Sequence, residues 1–229
     1  MTSPRAVRAC IFDLDGLLID TESLYTAVTN SIVGRYGRRV DPALKARMMG
    51  QKKLDSARIL VEALELPIAP EDYLRERAPL LMARFPECAA LPGAERLVRR
   101  LHEARVPLAL ATGSDEREFA AKTQCHAAWM ECFAIRVLGD DPAVHRGKPA
   151  PDIFLEAARR LGVDPVDCLA FEDAPNGAAA ARAAGMPVIV VPGDHAPRDA
   201  YPEADEVLTT LDDFDPTRWG LAPSRVVAS

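Results

Sequence analysis

No apolar run in this 229-residue chain approaches the ~20 residues that cross a bilayer, so a helical membrane span is excluded. Basic charge is not in excess either. Lys and Arg number 28 against 34 Asp and Glu, and a net charge of −6 argues against a surface that coats nucleic acid. The five cysteines (Cys10, Cys88, Cys125, Cys132 and Cys168) include no C-x-x-C pair, which leaves neither a zinc-ligand pattern nor a disulfide frame. Scattered thiols in a chain of this length predict reduced, mostly buried cysteines and a cytoplasmic protein. His102, His126, His145 and His195 are equally dispersed and are expected to be surface or locally bonded groups. No G-x-G-x-x-G follows a strand and no G-x-x-x-x-G-K-[ST] occurs, which removes dinucleotide and P-loop readings. The opening "MTSPRAVRACIFDLDG" meets acidic residues too early to build a signal-peptide core.

What is present is an ordinary globular composition, 48% hydrophobic, sufficient for one large core or two modest ones. Apolar runs of β character at 6–12, 107–112, 135–139, 168–172 and 187–192 predict strands. Helical periodicity fills 94–105, 115–126, 151–161 and 175–184 between the later strands, an alternation that predicts a parallel sheet covered on both faces. Residues 23–88 read as helices throughout, with Asp41–Pro42 and Pro70–Glu71 as start signals. The first strand therefore belongs with the later α/β unit, and the helices are inserted as a second module. The charged stretches 70–77 and 211–216 read as solvated faces.

Polar residues gather where the strands end, which is where open parallel sheets bind ligands. Asp13 and Asp15 follow the first strand, Thr112, Gly113 and Ser114 follow "LALA", Lys148 lies in "RGKPAPD", and Glu172–Asp173 follow "CLAF". Carboxylates alone supply the hard oxygen donors that Mg²⁺ prefers. A lysine and a Thr-Gly-Ser turn add a point charge and N–H and O–H donors for an anion. Together they suit a phosphoryl group, and a small phosphorylated metabolite is the expected partner.

The strings "DLDGLLIDTE", "ATGS", "GKPAPDIF" and "FEDAPNG", in that order, resemble the four motifs of the haloacid dehalogenase superfamily, and more closely its β-phosphoglucomutase-like branch. The resemblance spans the whole chain. It implies a Rossmann-like α/β core at 1–20 and 89–229 with an all-helical cap domain at 21–88. It also implies that Asp13 is a nucleophile forming an aspartyl-phosphate and that Asp15 is the general acid and then base. Thr112 and Lys148 would hold the phosphate, with Gly113 and Ser114 beside them. Mg²⁺ would be ligated by Asp13, the Asp15 carbonyl, Glu172 and Asp173. Thr21 fits the hinge pattern of the branch. Tyr25 stands where a mutase carries a histidine that suppresses attack by water, which favours hydrolysis over transfer back to a sugar. In "MMGQKK" (48–53), Lys52 or Lys53 is expected near the substrate. No long apolar stripe demands a partner, so a monomer is expected.

Overall fold

Every side chain of the first strand, β1 (Ala9–Phe12), is buried, and its neighbours explain why. The computed structural model describes residues 7–48, 53–193 and 200–221. After β1 come four helices in succession, α1 (Glu22–Val33), α2 (Pro42–Met48), α3 (Lys53–Ala63) and α4 (Pro70–Arg84). The alternating part follows: α5 (Ala94–Glu103), β2 (Leu108–Ala111), α6 (Glu116–Thr123), α7 (Ala127–Met130), β3 (Ile135–Val137), α8 (Asp152–Leu161), β4 (Cys168–Glu172), α9 (Pro175–Ala183), β5 (Val188–Val190) and β6 (Glu206–Val207). All strand pairs are parallel, in the order β3-β2-β1-β4-β5-β6. The chain builds β2 and β3 on one side of β1 and then β4 to β6 on the other. The crevice of the sheet therefore opens at β1 and β4, past their carboxyl ends.

Strand residues alternate between faces, and the two faces differ in size. One carries Cys10, Phe12, Leu110, Leu169 and Phe171 against α5 and the aromatic residues Trp129 and Phe133. Phe12 lies opposite Phe171 in register, and their rings stack at 4.3 Å. The other face carries Ala9, Ala109, Ala111 and Ala170, small residues that admit α8 and the alanines of α9 close to the sheet. This Rossmann-like α/β sheet is the fold class expected, with β1 at its centre.

Several boundaries differ from the expectation. The helix anticipated over 115–126 closes at Thr123, and a 3₁₀ turn leads into the separate α7. The two-residue β6 is half-buried at the sheet edge and too short to show a period. Neither charged stretch is simply a solvated face. Tyr73 is buried with its hydroxyl 2.9 Å from Thr29 Oγ1, and Leu211 and Phe214 sit in the core. Cys10, Cys88 and Cys168 are buried as expected, whereas Cys125 is exposed. Among the described residues no helix is long and apolar enough to cross a membrane.

Candidate active site

Asp13 continues β1 by one residue: its N–H donates to Phe171 O at 3.0 Å, so the ladder itself aims the side chain into the crevice. Gly16 then turns the chain at φ +78°, and its N–H donates to Ile19 O at 3.0 Å. A Cβ at Gly16 would fall on the Asp173 carboxylate, so glycine is required for both conformation and space. At Gly177, inside α9, space alone decides: a Cβ there would overlap the carboxylate of Glu172.

Three carboxylates, from Asp13, Glu172 and Asp173, each place an oxygen within 4.8 Å of the others, all buried. Lys148 comes from the loop before α8. Its Nζ donates to Asp13 Oδ1 at 2.6 Å, to Glu172 Oε1 at 2.5 Å and to Ala111 O at 3.1 Å. Burial is the main cause pushing the Asp13 carboxyl up to about 7, against the opposing charge of Lys148. Asp173 is held well above the carboxylate range by burial, and then by Glu172 and Asp13. A buried all-oxygen group carrying more negative charge than its single ammonium can neutralise fits a hard divalent cation.

Asp15 faces a different environment. Its Oδ2 accepts from Ser114 Oγ at 2.8 Å and Thr112 Oγ1 at 3.2 Å, and its Oδ1 accepts from Lys122 Nζ at 2.6 Å. Burial alone would raise this carboxyl, but the charge of Lys122 and the bonds from Lys122 and Ser114 outweigh it and hold Asp15 below its ordinary value. The buried Thr21 contributes in the same direction. The turn bearing Thr112, Gly113 and Ser114 is fixed by Asp115, which caps α6 through Glu118 N at 2.8 Å.

The structure thus brings Asp13, Asp15, Thr112, Gly113, Ser114, Lys148, Glu172 and Asp173 to one cleft of about 240 Å³ or its immediate wall. Thr112 and Ser114 are turned towards Asp15, so their hydroxyls serve the carboxylate in this arrangement. The Asp15 carboxylate, bonded to Thr112, Ser114 and Lys122, is not one of the three grouped acids; the expected ligand atom of Asp15 is its main-chain carbonyl. Lys53 also lines the cleft, its ammonium paired with Glu118 at 2.8 Å, whereas Lys52 lies outside the described residues. Reading the sequence missed Lys122. The available signal was its place beside Phe119 and Thr123 on the buried face of α6, where a solvated lysine does not belong.

The cleft shares Glu22, Tyr25, Lys53 and Glu118 with a second cavity of about 460 Å³. Val40, Leu74, Leu81, Met82 and Phe85 give it an apolar lining. Arg77 enters it with Nε buried and without a hydrogen-bond partner among the described residues, its guanidinium 4.9 Å from the Tyr25 ring centroid.

The family model of the haloacid dehalogenase-like hydrolases matches residues 7–185. The chain is 44% identical to (DL)-glycerol-3-phosphatase 2 of Arabidopsis thaliana, over 97% of its own length and 98% of the relative's. It is likewise 44% identical to a Drosophila melanogaster protein named "Probable pseudouridine-5'-phosphatase", over 95% of each chain. Among solved structures, CbbY from Rhodobacter sphaeroides in complex with phosphate superposes with a TM-score of 0.73 at 27% identity, covering 90% of this chain and 96% of that one. The protein belongs to the haloacid dehalogenase-like hydrolases, as an enzyme of the phosphatase type.

Proposed function

We propose that the protein hydrolyses a small phosphomonoester through a phosphorylated Asp13, with pseudouridine 5′-phosphate the first substrate to test. The observation that carries this reading is the pairing of Asp13 with Lys148 at the cleft, opposite an Asp15 anchored by Thr112, Ser114 and Lys122. An oxygen of Asp13 attacks phosphorus as the bond to the leaving alcohol breaks. Asp15, carrying a proton, delivers it to the leaving oxygen. The negative charge of the arriving phosphate favours that protonated form, against the pull of Lys122. Asp15 then takes a proton from the water that cleaves the acyl phosphate. Lys148 holds Asp13 in place and faces the transferred group. Asp13, Glu172 and Asp173 would hold Mg²⁺, with the Asp15 carbonyl as a further ligand; the ion supplies charge neutralisation between the carboxylates and the phosphoryl oxygens.

Residues 21–88 act in this reading as a cap over a core of 1–20 and 89–229, excluding water and reading the leaving group. The cavity of about 460 Å³ falls in the ~300–1,000 Å³ range of pockets for small organic ligands, and its apolar wall and Arg77 suit a nucleoside carrying carbonyl acceptors. The stretches "VLGDDPAVHRGKPAPDIFL" and "LPGAE" also resemble pseudouridine-5′-phosphatase. Glycerol 3-phosphate is the second reading, favoured by the plant relative. A mutase reading is weakened by Tyr25, whose hydroxyl is occupied by Lys122 Nζ at 3.0 Å. The test is phosphate release from a panel with Mg²⁺ that includes both phosphomonoesters and hexose phosphates. Asp13→Asn should abolish turnover while leaving the fold intact, and normal turnover in that variant overturns the nucleophile assignment.

A further inference from the structure

A buried lysine is costly unless its charge and all three donors are satisfied. Lys122 is 1% exposed on a helix that an apolar residue at this position would serve as well. Its Nζ spends its three donors on Asp15 Oδ1 at 2.6 Å, Ser114 Oγ at 2.7 Å and Tyr25 OH at 3.0 Å. The ammonium also lies 4.7 Å from the centroid of the Phe85 ring. Its partners therefore come from two sources. Asp15 and Ser114 belong to loops at the sheet's carboxyl edge, whereas Tyr25 is on α1 and Phe85 directly follows α4. The phosphate-side ammonium is Lys148, whose bonds go to Asp13 and Glu172. The bonds of Lys122 go to Asp15, Ser114 and Tyr25, so it reaches the reaction through Asp15.

We propose that Lys122 is a positioning residue: it fixes the carboxyl of Asp15 towards the leaving oxygen and ties that orientation to the seating of Tyr25 and Phe85. The inference rests on the proposed phosphatase reading, in which the bond from Asp13 to phosphorus forms as the ester bond breaks and the proton of Asp15 passes to the departing oxygen. An alkyl leaving group needs that proton, whereas p-nitrophenolate departs without it. The deciding quantity is kcat/KM, which covers phosphoryl transfer and is blind to the later hydrolysis of the aspartyl-phosphate.

In Lys122→Met, kcat/KM for alkyl phosphomonoesters should fall ~100-fold, the scale of a lost general acid, and for p-nitrophenyl phosphate by less than about threefold. Inhibition by inorganic phosphate should stay unchanged. Tyr25→Phe removes one bond to the ammonium and keeps the ring, so the alkyl substrates should lose about tenfold with the same selectivity. Equal losses for both leaving groups, no loss for either, or weakened phosphate inhibition overturns the inference; if Lys122→Met does not fold, the selectivity of Tyr25→Phe decides alone. Failure of the phosphatase reading looks different, since wild-type protein would then release no phosphate from any ester.

Discussion

Replacing Asp173 by Asn should stabilise the metal-free protein and remove its response to Mg²⁺. Carboxylate oxygens of Asp13, Glu172 and Asp173 lie within 4.8 Å of one another. At an effective dielectric constant of ~20, one like-charge pair at that distance costs about 3.5 kcal/mol. Lys148 bonds to Asp13 and Glu172, so Asp173 is the member whose charge is least compensated by it. Its carboxyl is held well above the usual range, chiefly by burial. A raised carboxyl in the folded state stabilises it below the unfolded value, and that contribution is lost as pH rises through the folded value. Wild-type protein in EDTA should therefore be less stable at pH 8 than near pH 4, the ordinary carboxylate value, through this group, while Asp173→Asn should not. One pair's repulsion at the 4.8 Å limit sets a scale of ~3.5 kcal/mol at pH 8, and at roughly 2–4 °C per kcal/mol the variant should melt about 7–14 °C higher. Saturating Mg²⁺ reverses the order. At a hundredfold excess over Kd the ion stabilises the wild type by about 2.7 kcal/mol, and the variant should gain little. Thermal melts at both pH values, with EDTA and with Mg²⁺, read all four quantities. A lower melting temperature for the metal-free variant at pH 8, or a full Mg²⁺ shift in it, refutes the reasoning.

Gly177→Ala should raise helix propensity by ~1 kcal/mol yet cut Mg²⁺-dependent activity at least tenfold, because its Cβ displaces the Glu172 carboxylate; activity titrated against Mg²⁺ checks this. Lys148→Met leaves Asp13 and Glu172 without their shared ammonium, which should cost ~3–5 kcal/mol and lower the metal-free melting temperature by roughly 6–20 °C. Part of that loss should return with Mg²⁺ in a thermal melt. Arg77→Gln should raise KM about tenfold for substrates that fill the larger cavity and leave p-nitrophenyl phosphate unchanged, measured as KM across the ester panel.

Most of the residues legible in the sequence share one property: they stand at the end of an apolar run. A parallel sheet sends every such residue to the same edge, so Asp13, Thr112 and Glu172 could be grouped before any distance was known. Lys148 was legible for its company in "GKPAPD" more than for its own surroundings. Lys122 and Arg77 escaped because each sits inside an amphipathic helix, where a charge dominates the local pattern. Yet Tyr73, Arg77 and Leu81 recur four residues apart and form one stripe on α4, and Phe119 and Lys122, three apart, share a face of α6. Charge placed on an otherwise apolar stripe was the readable sign. β6 offered none, since two half-buried edge residues have no period to show.

The two buried lysines divide the cleft into unlike ends. Around Asp13, three carboxylates gather and two of them, Asp13 and Glu172, bond to Lys148, whereas Asp15 has Lys122 to itself. The four acids and two ammonium groups sum to the charge that one divalent cation cancels, and the excess lies wholly on the Asp173 side. Burial pushes Asp13 up to about 7 while Lys122 holds Asp15 below its ordinary range, so two carboxyls two residues apart are driven in opposite directions. Such a divergence separates roles at a site. A cation at the Asp173 end favours ionised Asp13, the form a nucleophile needs, and a phosphate anion in the cleft favours protonated Asp15, the form an acid needs. Substrate and metal then act on different carboxyls, from opposite ends, towards one reactive arrangement.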